Sequence, residues 1–564
     1  MIDALPDDVS LLEKVKLIAS SNPEDHRDLQ YLDPLYWALA INLVFGGVKF
    51  DILNHEYEID YVREVHPNEV LKCSPQMMKT IGQIIKRMHH LIYGYYPQGV
   101  MYIFPTDKLV QRFSQSRFTP LLIDNPILRK YIGNTDNMSL KRVGKANLYF
   151  VGARVTQKIA GEQKSSASLK SEPVDCIVED EYDEIDQDMS ALAQARMDHS
   201  HIKHRARIST PTIPGYGIDR AYNDESDQQV WMIYCSHCHS FTCLEQEFPD
   251  CLRTLKDGTV YRACKHCGRE IHPRDGHWVP MVPSRSEECR GRWISQLNST
   301  FTEPKTILAE FRDPPNGDIG LVYNRRLGMA YLAAENQLVP TDLWPLLSRD
   351  LPQMVNHPGP SAMGVDIGTR MNVVIMDKPN DQSRRVVKTV RITDFEDLHR
   401  LIVDFHVKSA VIDLYPEQRK VRDFIEAEKG LEIFACVYSE EKRGVTDWNA
   451  NANVVTVNRT EICDAVHDLV ITRGRLTLPR RSAEIEEEFI PNLCSLAKIL
   501  SDDDETGVRK YHYIKRGPDH YYHAMNYAYL ASQRVGVYVP KEVTKLRKDA
   551  YSEGDKTPGS WLGV

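Results

Sequence analysis

The chain has no long apolar run, no basic leader and no excess of positive charge, and each shortage excludes something. Its longest apolar stretch, "LYWALAINLVFGG" from Leu35, is too short and too interrupted to span a bilayer, and Asp33-Pro34 starts it like a buried helix. The opening "MIDALPDDVSLLEKVK" is acidic where a secretion signal would be basic, so no export signal is expected. A net charge of −9 rules out a bulk positive field. Any nucleic-acid contact then falls to local basic patches such as "DHSHIKHRARIS". Internal repeats are missing too. With 564 residues the chain is too long for one core, and about two to four domains are expected.

What is present starts with cysteine. Of the twelve, Cys235 and Cys238 in "YCSHC" and Cys264 and Cys267 in "ACKHCGRE" form two C-x-x-C pairs. That spacing predicts a zinc ribbon, in which two tight knuckles supply four thiolates to one closed structural site. Histidines 237, 239, 266 and 272 and cysteines 243 and 251 lie close by, so one ligand could differ. The cysteine usage suits a reducing compartment with a metal site rather than a disulfide scaffold.

Between Glu64 and Pro214, "NEVLKCS", "GVMYIFPTD", "ANLYFVGAR" and "VDCIVEDE" alternate with helical stretches, which predicts a parallel sheet with crossover helices. The expected organisation is a helical lead-in over 1–60 and an α/β domain over 61–345, with the cysteine insert at 232–280. A linker at 346–361, where Pro and Gly accumulate, leads to a second α/β domain over 362–540 and a mobile tail over 541–564.

Two acidic constellations carry chemistry. "LKCSPQMMKT" ends in Lys79-Thr80 like a phosphate-gripping loop, yet it has no glycine; Cys73 and Met78 stand where glycines would be. Downstream, "VDCIVEDE" is an apolar strand closing on Asp180-Glu181, the pair that holds Mg²⁺ and activates water in nucleotide-hydrolysing sheets. "RISTPT" follows at another strand end, placing Ser209, Thr210 and Thr212 where such motors sense the γ-phosphate. In the second domain, Asp366 in "MGVDIGT" and Asp413 in "SAVIDLYPEQ" close two strands, and Asp519 in "PDHYYHAMNYA" opens a helix. Three carboxylates so placed can converge as a two-metal phosphodiester nuclease requires, with His520 and His523 near enough to assist. "VDIGTR" also fits a sugar-kinase phosphate loop, but "HVKSAVIDLYPEQ" lacks the second, glycine-rich turn of that fold.

Taken together, "FPTDKLVQRFSQSRFTPLLIDNP", "ANLYFVGAR", "VEDEYDEID", "STPTIPGYGIDRAYNDESDQQVW", "GRWISQLNS", "YNRRLGMAY", "MGVDIGT" and "PDHYYHAMNYA" resemble the large terminase subunit of tailed bacteriophages, in its lambda-type branch. The resemblance implies a P-loop-type ATPase domain with a zinc-ribbon insert, then a ribonuclease H-like nuclease domain. It implies ATP-driven packaging of double-stranded viral DNA and metal-dependent cutting of concatemers. "KCSPQMMKT" aligns with the family's phosphate loop, which puts Ser74, Gln76, Lys79 and Thr80 on ATP. Asp180 falls on Mg²⁺, Glu181 on the catalytic base, and Ser209 to Thr212 on the coupling segment. Asp366, Asp413 and Asp519 fall on the nuclease's Mg²⁺ or Mn²⁺. Arg112, Arg117 and Arg154 are candidates for a charge-stabilising finger. Implied partners are a small terminase subunit and the procapsid portal, on which a pentameric ring would assemble in the host cytoplasm, with no membrane. Rival readings are a repair helicase–nuclease and a non-catalytic zinc-ribbon DNA adaptor.

Overall fold

The computed structural model describes residues 23–153, 157–158, 164–165, 172–333, 336–428, 430–440, 442–502 and 509–538. The described residues form two units, one reaching to Leu332 and the other starting at Ala333.

The first unit is built on seven parallel strands: β1 (Asn68–Cys73), β2 (Val100–Phe104), β3 (Ala146–Gly152), β4 (Cys176–Asp180), β5 (His204–Ser209), β6 (Gln229–Tyr234) and β7 (Arg290–Ile294). Their order is β6–β7–β1–β5–β4–β2–β3, with strands Leu140–Val143 and Ile132–Asp136 added antiparallel beyond β3. Every residue of β2 and β4 is buried, as expected of a parallel sheet covered on both faces. Helix α1 (Lys79–Ile92) leaves β1 through the loop Ser74–Met78 and is almost wholly buried. Within the 1–60 lead-in, the helix Pro34–Ala40 is there, started by Asp33, whose carboxylate accepts from the N–H groups of Leu35 and Tyr36. A hairpin, Val44–Phe45 with Val48–Lys49, interrupts the expected helical run. Leu35, Trp37 and Ala38 join the sheet's core, so this segment is an integral part of the first unit.

The cysteine insert grows from the sheet edge. Strand Gly276–Pro280 pairs antiparallel with β6, and a small hairpin, Leu252–Thr254 with Val260–Arg262, lies between the two knuckles.

The second unit holds β8 (Ser361–Ile367), β9 (Met371–Asp377), β10 (Arg384–Ile392), β11 (Val407–Asp413), β12 (Glu432–Tyr438) and β13 (Val454–Val457). The order is β13–β12–β11–β8–β9–β10; β8 to β10 form an antiparallel meander, while β11, β12 and β13 run parallel to β8. Two helices named below complete the parts needed here: α2 (Ile319–Leu327) in the first unit and α3 (His520–Ser532) in the second.

The structure moves two expected boundaries. Ala333 and residues 336–345 belong to the second unit rather than the first, because Leu338 and Leu343 are buried in its core. The expected linker 346–361 is packed as well: Met354 N–H donates to Val387 O, and buried His357 lies 3.0 Å from Asp377 Oδ2. Its loss of periodicity reflects packing without regular structure. The tail 541–564 lies outside the described residues, as does Arg154. Among the described residues, no helix is long and apolar enough to cross a membrane.

Candidate nucleotide and metal sites

The first site forms where β1, β4 and β5 end side by side, an arrangement fixed by the parallel register Val178↔Ala206 and Ala206↔Glu69. The loop after β1 carries Lys79 into it. Lys79 Nζ lies 2.8 Å from Glu181 Oε2 and 3.4 Å from Thr210 Oγ1. Thr80 Oγ1 donates to Asp180 Oδ2 at 2.9 Å. Burial works against the Lys79 ammonium, but Glu181, Cys73 and Asp180 outweigh it and hold its pKa above the ordinary value. Asp180 is pushed up to about 6, by burial first and Glu181 second, with Lys79, Thr80 and Arg117 pulling the other way.

Asp180 Oδ1, in this pocket, and the Ser74 hydroxyl, in the loop after β1, are buried without a partner. Unsatisfied buried oxygens beside a buried lysine are what a site built for a phosphate and its cation presents. The chain therefore brings together Lys79, Thr80, Asp180, Glu181 and Thr210, while Ser74 lies in the loop after β1 with its N–H on Ile294 O. Ser209 stands one step back, its hydroxyl accepting from Asp183 N–H at 3.2 Å. Thr212 bonds to the Asp183 carboxylate instead. Gln76 is exposed.

The glycine-free loop is achieved by strain. Met78 has φ +60° and ψ +11°, Gln76 has φ +63°, and Glu181 has φ +57° and ψ +51°. Left-handed backbone at a non-glycine residue costs about 1–2 kcal/mol each and clusters at functional sites. Of the arginine candidates, Arg112 and Arg117 are both exposed, and Arg117 acts electrostatically on Asp180.

The second site lies on β8 and β11. Val365 pairs with Ile412, so Asp366 and Asp413 follow on adjacent parallel strands at the same level. The third carboxylate arrives through helix packing. A Cβ on Gly364 would lie 2.1 Å from Ala524 O and Ala528 N, so only glycine lets α3 sit this close to β8. Asp519 is the N-cap of α3, and the next residue, His520, reaches Asp366: Nδ1 to Oδ2 is 2.9 Å. Asp519 is held by Lys515 Nζ at 2.7 Å and His523 Nε2 at 3.2 Å. Burial would raise its pKa, but His523 and Lys515 override that and keep it below the carboxylate range. Tyr438 OH sits 3.0 Å from His523 Nδ1. Both histidines thus work on the triad's carboxylates, a role their sequence positions only suggested. Asp366, Asp413 and Asp519 offer the carboxylate oxygens that divalent cations need, but among the described residues the four cysteines are the group whose ligand atoms lie within 4.8 Å of one another, and this trio does not close that tightly.

The third site is the cysteine cluster. The ligand atoms of Cys235, Cys238, Cys264 and Cys267 all lie within 4.8 Å of one another, and no histidine or carboxylate joins them. Both knuckles are built alike: His239 N–H donates to Cys235 O at 2.8 Å, and Gly268 N–H to Cys264 O at 2.9 Å. Burial disfavours the Cys264 thiolate, yet amide donors from Cys267 and His266 bring its pKa down to about 6. Cys243 and Cys251 are buried apart from the cluster, bonded to Glu245 and to Leu244 O.

Comparison with known proteins adds a family. Residues 59–293 match the family model described as phage terminase large subunit gpA, ATPase domain. Among solved structures, the large terminase of bacteriophage HK97 aligns at 13% identity and TM-score 0.49, covering 87% of this chain and 98% of that one. The large terminase of a thermophilic bacteriophage, in one of its crystal forms, aligns at 11% identity and TM-score 0.31, over 85% of this chain and 98% of that one. The nuclease of the large terminase from thermophilic phage G20c, solved with bound magnesium, aligns at 14% identity and TM-score 0.24, over 35% and 98%. A search of curated proteins finds no match.

Proposed function

Starting from a chain that belongs to the large-subunit family of phage terminases, we propose that it is a DNA-packaging motor with two active sites. The first unit would hydrolyse ATP to drive double-stranded viral DNA into a procapsid, and the second would cut concatemeric DNA. One observation carries the motor reading: Lys79, Thr80, Asp180, Glu181 and Thr210 lie within hydrogen-bond reach in one pocket at the sheet's carboxyl end.

In that pocket Lys79 and the loop amides, with Ser74, would hold the β- and γ-phosphates of ATP, and Thr80 with Asp180 would hold Mg²⁺. Bound Mg²⁺ supplies positive charge against the phosphoryl oxygens. Phosphate binding gives Lys79 a second anionic partner and frees Glu181, now paired with it, to orient a water and accept its proton. Arg117, which already acts on Asp180, would add positive charge to this pocket in cis. DNA contacts made through phosphates would be salt-sensitive and nearly sequence-blind.

In the second unit the strand order, a three-stranded meander followed by parallel strands, supports a ribonuclease H-like nuclease. Asp366, Asp413 and Asp519 would hold Mg²⁺ or Mn²⁺, which activates water and stabilises the leaving oxygen. The four cysteines would hold Zn²⁺ as a closed, structural site. A small terminase subunit, a portal and a ring of about five copies in the host cytoplasm belong to the same proposal.

The test is ATP turnover by the purified chain with and without duplex DNA. Lys79→Ala and Glu181→Gln should each lower kcat by about 10² or more, with metal-dependent DNA cutting unchanged, and Asp366→Ala should do the reverse. Retained hydrolysis in Glu181→Gln removes that residue from its role. Absence of DNA-dependent turnover in the wild type favours a non-catalytic DNA adaptor.

A further inference from the structure

Beyond Asp180 and Glu181 lies another carboxylate with a different set of partners. Asp183 is buried in the single turn Tyr182–Glu184. Its Oδ2 accepts from Thr212 N–H at 2.7 Å and Thr212 Oγ1 at 2.8 Å, and its Oδ1 accepts from Ile218 N–H at 2.6 Å. Its own N–H donates to Ser209 Oγ. Gly217, at φ +50°, makes room for it: a Cβ there would fall 2.3 Å from Asp183 Oδ1. Burial pushes its carboxyl up to about 6, while the donors from Ile218 and Thr212 pull it down.

Thr212 faces a second way. Its carbonyl accepts from Asn324 Nδ2 at 2.8 Å and from Tyr331 N–H at 3.1 Å. Asn324 lies on α2, and its Nδ2 also reaches Met329 O at 2.9 Å. The rings of Tyr323 and Tyr331 stack at 4.9 Å. One residue therefore joins the turn that follows Glu181 to the helix and segment that end the first unit. Glu181 itself is held in left-handed backbone and paired with Lys79, two residues before Asp183.

We propose that Asp183 is a positioning residue of the motor, the joint through which the occupancy of the nucleotide pocket reaches α2 and residues 329–331 by way of Thr212. The proposal rests on the nucleotide reading of that pocket. Charge-assisted bonds to a buried carboxylate are short and directional, so the joint transmits displacement rather than absorbing it. A separate link, Arg326 Nη1 to Gln296 Oε1 at 2.6 Å and Gln296 Nε2 to Pro75 O at 3.0 Å, connects α2 to the phosphate loop and does not involve Asp183.

The test is amide hydrogen exchange on the full chain, with and without ATPγS and Mg²⁺. In the wild type, exchange over 71–80 and over 323–331 should both slow, each by about tenfold. In Asp183→Ala the slowing over 71–80 should persist while that over 323–331 falls below about twofold. Asn324→Ala, which removes no buried charge, should uncouple the same segment with basal ATP turnover unchanged. A response at 323–331 that survives in both variants overturns the joint and leaves the Arg326–Gln296 link as the route. Slowing at 71–80 without any at 323–331 in the wild type sinks the joint alone. No slowing at 71–80 in the wild type sinks the nucleotide reading, and the joint with it.

Discussion

Met78 offers the sharpest check on how the phosphate loop is built. It stands at φ +60°, directly before α1, and its side chain is half-buried against the first unit's core. Three contributions are at stake. The left-handed conformation costs an L-residue about 1–2 kcal/mol. Half the value of a buried methionine is about 1 kcal/mol. Glycine adds about 0.4–1 kcal/mol of chain entropy to the unfolded state. Met78→Gly therefore trades relief of strain against lost contacts and entropy, and should leave stability within about 1 kcal/mol of the wild type. Met78→Ala loses the same contacts and keeps the strain. It should fall below Met78→Gly by about 1 kcal/mol, reversing the usual order for helix-flanking positions. The assay is urea unfolding of the full chain, with the first unit's transition followed by exchange of α1 amides. An alanine variant as stable as the glycine variant would refute the left-handed assignment and with it this picture of the loop.

Glu58 is fully buried, with Oε2 unpartnered, and burial pushes its pKa up to about 8 against the pull of Arg292 and Lys86. A raised folded-state pKa means the stability it contributes is complete below the unfolded value and is lost as pH rises through about 8. Glu58→Gln should thus gain on the wild type by up to about 1.4 kcal/mol per pH unit between pH 5 and 8; a difference that stays flat in a denaturation series argues against a buried neutral carboxyl. Cys267→Ser should strip the cysteine cluster of zinc, measured by metal analysis of protein purified with zinc present, and wild-type protein that carries none would end the zinc reading. Gly364→Ala forces α3 off β8 and should destabilise the second unit by about 3 kcal/mol while leaving the first unit's unfolding unchanged; a silent variant would mean the helix does not pack where the Asp366–His520 contact requires.

The strand ends were legible because a parallel sheet buried on both faces writes itself as an apolar run, and its chemistry sits where that run stops. "NEVLKCS", "GVMYIFPTD", "ANLYFVGAR" and "VDCIVEDE" all lie on strands β1 to β4, and Lys79, Thr80, Asp180 and Glu181 meet beside their ends. Asp366 and Asp413 were readable for the same reason, since the register Val365↔Ile412 sets them level. The split at 332 was not legible, because Leu338 and Leu343 are spaced like any short amphipathic turn, and only contact with the second unit's core decides which side they join.

Asp183 marks the boundary of what a linear pattern can carry. "EDEYDEIDQD" contains seven carboxylates in ten residues, and composition gives no reason for one of them to turn inward. The choice is made by an amide and a hydroxyl from Thr212, an amide from Ile218, and the room that Gly217 leaves, all brought in by β5 and the chain that follows it. A buried carboxylate persists only where several donors converge on it. The same logic separates the histidines of the second site: His520 and His523 look alike as flanks of a helix start, yet α3 meets β8 at Gly364, which aims His520 at Asp366 while His523 turns back on Asp519. Residues that do chemistry at strand ends are thus visible from periodicity, whereas residues that hold those ends in position become visible only once the packing that surrounds them is known.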